Sequence, residues 1–173
     1  MPYLWSEFLR ELHQPEYVHV LLHPLPIYGL ALALAALVMA LVLRNRGAQG
    51  IALGLIVVTA LAAWPVHYFG SAGYDRVYSM SDEWAQKWLN WHAYLADRIV
   101  WAHFVAAALA LVALAGLWKF PRLHRPALVL TLVATLVAVT LGGFLAFVGG
   151  KIRHSEFRHS SPPAWAHTAP DED

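Results

Sequence analysis

The chain has 173 residues, a formal net charge of +1 and no cysteine, with 13% charged residues against 59% hydrophobic ones. Soluble domains carry about a quarter charged residues, so this composition argues against a water-soluble enzyme, and the balanced charge offers no basic surface for nucleic acid. Without cysteine, thiolate catalysis, disulfides, iron–sulfur clusters and covalent c-type haem attachment are excluded.

In chain order, residues 1–18 place Trp5, Phe8 and Leu9 among charges, the pattern of a short interfacial helix with aromatic anchors. His23-Pro24-Leu25-Pro26 opens a first apolar run, 20–43, read as a retained helix because no basic segment precedes it. Charge-free runs recur at 49–69, 99–118 and 126–148. Each is about 20 residues or more, enough to cross a hydrocarbon core of about 30 Å.

Between the second and third runs, Ser79 or Ser81 is the expected cap of a helix beginning near Asp82-Glu83. Trp84, Trp88, Trp91 and Leu95 recur at helical spacing, so the third helix is expected to begin outside the membrane. Asp97 and Arg98, adjacent near its start, are expected to pair at the interface. Gly142-Gly143 and Gly149-Gly150 offer close approach to a neighbouring backbone or a flat ligand. The expected fold is all-α: an integral membrane four-helix bundle over 1–155, with a periplasmic amphipathic helix or extension before the third transmembrane helix. Residues 156–173 are expected to form an extended tail.

The connectors Arg44-Asn45-Arg46-Gly47 and Lys119-Phe120-Pro121-Arg122-Leu123-His124-Arg125 carry bases and no acid. The positive-inside rule puts both in the cytoplasm and both termini in the periplasm of a bacterial inner membrane. Of ten histidines, only His124 then falls on the cytoplasmic side. His23 starts the first helix, His67 ends the second and His154 follows the fourth, while His103 lies a few turns inside the third. His92 and His103, eleven residues apart, share a face within about 20°.

Imidazole ligates metals and carries protons near neutral pH. Two histidines can clamp a haem iron, so His23, His67, His103, His154 and His92 are candidate cofactor residues, with Arg98 and Arg153 placed to pair with propionates. The same first four are candidate non-haem metal ligands. The plainer reading makes the histidines hydrogen bonders between helices.

Leu22-His23-Pro24-Leu25-Pro26-Ile27-Tyr28-Gly29-Leu30-Ala31-Leu32, His103, Thr140-Leu141-Gly142-Gly143-Phe144-Leu145 and Arg153-His154 resemble the motifs of a broad bacterial membrane family, domain of unknown function 2231. The likeness covers about residues 20–155. It departs at Tyr28, where the family has a second histidine, and at Gly29, where it has proline. Relatives beside cytochromes and redox enzymes make the resemblance imply a haem b.

The leading expectation is therefore an electron-transfer subunit with a b-type haem near the periplasmic face. Its partners would be other membrane-complex subunits or a periplasmic cytochrome, with quinol as a candidate, rather than substrates of its own as an enzyme. The alternatives are a cofactor-free structural or assembly subunit of a larger membrane complex and a non-haem metal-binding membrane protein.

Overall fold

The computed structural model describes residues 2–167, and the fold is all-α. Helices α1 (Pro2–Glu11) and α2 (Pro15–Leu22) lead through a π-helical turn at Leu25–Gly29 into α3 (Leu30–Val42). Then come α4 (Arg46–Leu61), α5 (Ala63–Ala72), the short α6 (Tyr74–Ser79), α7 (Glu83–Trp118) and α8 (Pro121–Arg153). Four stretches are long and apolar enough to cross a membrane: Pro15–Val42, Arg46–Ala72, Glu83–Trp118 and Pro121–Arg153. The chain is a multi-pass membrane protein.

Prolines set the breaks within these stretches. Pro24 and Pro26 supply no N–H where α2 meets α3, and the Leu30 N–H reaches back to the Leu25 and Ile27 carbonyls, widening one turn to π geometry. Pro65 removes the N–H that would bond the Leu61 carbonyl, and the helix is interrupted at Ala62. Arg44 ends α3 at φ 52°, the left-handed conformation common after a helix C-terminus. Asn45 then caps α4 by accepting from the Ala48 N–H at 3.0 Å.

The cap of α7 is Asp82, which accepts from the Ala85 N–H at 2.7 Å. Ser79 and Ser81 were the expected caps, but their hydroxyls turn back to the Arg76 and Val77 carbonyls, at 2.9 and 2.6 Å. Asp82 wins because its backbone is extended just before the helix, the geometry an N-cap needs.

The core lies where α3, α4, α7 and α8 meet. Ala106, Ala110 and Ala113 of α7 pack with Leu30, Leu37, Leu53, Ile56 and Ala138, all essentially inaccessible. Lipid tails are as apolar as leucine, so this core is held by close van der Waals contact, which the alanines permit. At the far end Arg46 donates to the Leu117 carbonyl at 2.5 Å, satisfying an orphan group at the α7 terminus.

The tail is fastened rather than simply extended. It makes 3-10 turns at Ser155–Phe157 and Ala164–His167. Arg158 bridges Asp82 at 3.0 Å and donates to the Lys151 and Ile152 carbonyls at 2.7 and 2.8 Å. Trp165 packs on Trp91 and Tyr94, with ring centroids 5.1 and 4.5 Å apart. Asp171-Glu172-Asp173 lies outside the described residues.

Candidate functional site

His23, His67 and His103 do converge, joined by His19 and His92, around one cavity of about 80 Å³ between α2, α5, α7 and α8. Its remaining wall is apolar, with Pro26, Ile27, Ile99 and Leu145 among the lining residues. At its edge His67 donates from Nε2 to Asp97 Oδ1 at 2.7 Å. Asp97 therefore serves His67 rather than Arg98, the partner expected from adjacency.

The other candidates stand apart. His154 is exposed and donates from Nδ1 to Glu156 Oε1 at 3.0 Å. The Glu156 carboxyl is held below the usual carboxylate range, first by its own backbone N–H and then by His154. Arg98 folds over the Tyr94 ring, 3.4 Å from its centroid, and donates to the Tyr94 carbonyl. Arg153 is exposed. Arg98, Arg153 and His154 are thus not among the residues that line the cavity.

What the histidines touch is glycine. A Cβ added at Gly70 would lie 2.8 Å from His19 Nδ1, and one at Gly149 would lie 3.0 Å from the His92 ring. At Gly142 it would meet His103 Nε2 at 3.5 Å, and at Gly116 it would strike the His124 backbone at 2.9 Å. In every case histidine and glycine come from different helices. At Gly70, Gly142 and Gly149 a histidine ring on one helix thus faces the gap left by a missing side chain on another, whereas at Gly116 the His124 backbone itself comes close.

Hydrogen bonds fix several of these rings. His19 donates from Nδ1 to the Val66 carbonyl of α5 at 2.8 Å, and His124 donates to the Ala113 carbonyl of α7 at 3.0 Å. The second His124 nitrogen lies 3.4 Å from Gln49 Oε1. His103 Nδ1 lies 3.3 Å from the Ile99 carbonyl of its own helix. By contrast His92 Nδ1 and His103 Nε2 are enclosed without a hydrogen-bond partner. The carbonyls of Leu145 and Pro26 face the His92 and His103 rings.

These two nitrogens give the donor chemistry a haem iron would require. About 80 Å³ holds a few waters, and imidazole rings fill the glycine notches that a macrocycle would use. A compact ion site does not form: among the described residues no three histidine, aspartate or glutamate side chains come together in a metal-holding group.

Sequence spacing brought out the His19–His23 pair, whose rings stack at 6.5 Å. The histidine–glycine pairing was not legible, because spacing along one helix carries no information about its neighbour's register.

No family model, curated protein or solved structure matches the chain.

Proposed function

We propose that this protein is a cofactor-free structural or assembly subunit of a larger membrane complex, with its histidines acting as ties between helices. The observation that carries this reading is the repeated seating of histidine on glycine across the α2–α5 and α7–α8 contacts. Imidazole suits such a tie because it is flat, sits against a glycine, and donates across the helix contact to a carbonyl, as His19 does to Val66 and His124 to Ala113.

The surface supports the subunit reading. Trp64, Trp84 and Trp165 are about half exposed or more, and tryptophan and arginine anchor most protein interfaces. Basic connectors at 44–47 and 119–125 support cytoplasmic loops and periplasmic ends in an inner membrane. The tryptophan-spaced start of α7, with Trp84, Trp88 and Trp91, then lies toward the periplasmic end of the third crossing.

A second reading, the haem-b electron-transfer subunit serving quinol or a cytochrome, has one observation in its favour: the unpartnered nitrogens of His92 and His103. It requires those rings to leave their glycines. The likeness to domain of unknown function 2231 supports it only through short motifs around His23, His103, Gly142-Gly143 and Arg153-His154.

The subunit reading is tested by solubilising native membranes gently and resolving the chain on a native gel. It predicts migration with a distinct second protein in fixed ratio, and marked loss of thermal stability once separated. A stable, monodisperse chain that migrates alone from its native membrane would contradict it.

A further inference from the structure

We propose that α1 docks by its apolar face into the lipid surface of the leaflet beside the first span. At 100° per residue Leu4, Trp5, Phe8, Leu9 and Leu12 fall within an arc of about 140°. Ser6, Glu7, Arg10 and Glu11 occupy the other side. The chain itself does not cover the apolar arc: Leu4 and Trp5 are each more than 60% exposed and Leu9 is 43% exposed. Phe8 and Leu12 are half-buried, with the Phe8 ring against Trp5 and Tyr17 at 5.5 and 6.4 Å.

The helix is nevertheless held at a defined place. Arg76 of α6 donates to Gln14 in the turn after α1 and pairs with Glu16 of α2 at 3.0 Å. Gly73 lets this corner close, since a Cβ there would lie 2.9 Å from the Glu16 backbone. The apolar surface also continues past the turn: Val20, Leu21 and Leu25 are exposed along the first membrane stretch. A bilayer that bathes those residues has its interface at the level α1 adjoins, and tryptophan and tyrosine are the side chains that settle there.

Charge decides how the surface is recognised. The polar side carries Glu7 and Glu11 against Arg10 alone, so there is no net attraction to anionic headgroups. Docking runs on apolar burial at the headgroup–acyl boundary. It is expected to be the same on neutral and anionic bilayers and indifferent to salt, unlike that of a basic amphipathic anchor. This inference needs only the membrane fold and stands whether or not the subunit reading holds.

The absence of cysteine makes the test direct. A spin label is placed by Leu9→Cys or Leu4→Cys on the apolar face and by Ser6→Cys on the polar face. The full chain is reconstituted into vesicles of phosphatidylcholine, alone or mixed with phosphatidylglycerol. Labels at 4 and 9 should collide with dissolved oxygen and be shielded from a water-soluble nickel chelate. The label at 6 should show the reverse, and neither lipid charge nor high salt should change the pattern. Nickel access at 4 and 9 would overturn the proposal, as would dependence on phosphatidylglycerol. Shielding of those labels from both probes in native membranes would also overturn it, by assigning the face to a protein partner.

Discussion

At the scale of single residues, two adjacent glycines separate packing from propensity. A Cβ at Gly149 meets the His92 ring at 3.0 Å, whereas one at Gly150 meets nothing within 4 Å. Gly149→Ala should therefore destabilise the protein by about 1–3 kcal/mol through overpacking. Gly150→Ala should stabilise it by about 1 kcal/mol by removing a helix glycine. Unfolding in mixed micelles titrated with denaturing detergent measures both. The cost of Gly149→Ala should shrink when His92→Ala is present, a coupling of about 0.5–3 kcal/mol for a direct contact. Equal costs in both backgrounds would mean the ring does not rest on that glycine. The gathering of His23, His67 and His103 at one end of the bundle was legible in the sequence, because charge-free runs fix depth. Their partners were not, since Gly70 lies far from His19 in the chain and only the packed register pairs them.

Among the elements, α7 and the tail are joined at Asp82. Its carboxyl is held below the usual carboxylate range, first by the Ala85 N–H and then by Arg158. A carboxyl depressed in the folded state contributes stability that is complete above its unfolded value, about 4, and is lost as pH falls through the lower folded value. The tail clasp should therefore be unchanged from neutral pH down to about pH 4 and loosen only in stronger acid. A fluorophore on Ser161→Cys should show falling anisotropy there. Asp82→Ala should free the tail at neutral pH and cost about 1 kcal/mol of cap stability. An immobile tail in Asp82→Ala would show that Trp165 and the Arg158 contacts to the α8 carbonyls suffice. The long helix was legible from its tryptophan spacing, but its cap was not. Ser79 and Ser81 were the expected caps, but Asp82 is an equally good capping side chain within the same four residues, and only backbone geometry separates them.

For the whole molecule, four apolar stretches and basic connectors made the membrane bundle readable from sequence, since charge in a hydrocarbon core is costly. The topology predicts that a cysteine at Lys119 in sealed inner-membrane vesicles is labelled only from the cytoplasmic side, and one at Ser161 only from the other. The reverse pattern would invert the molecule without changing its packing. What sequence left open was the use of the histidines, because the same residues suit an iron ligand and an interhelical tie. Their seating on glycine favours the tie. The most direct test is to purify the protein from haem-replete cells in mild detergent. Oxidised and dithionite-reduced visible spectra are then recorded with pyridine haemochrome quantification and metal analysis. If the histidines are ties, the protein should be folded and colourless, with no stoichiometric haem or metal. One b-type haem per chain, lost on substitution of His92 and His103, would contradict that role.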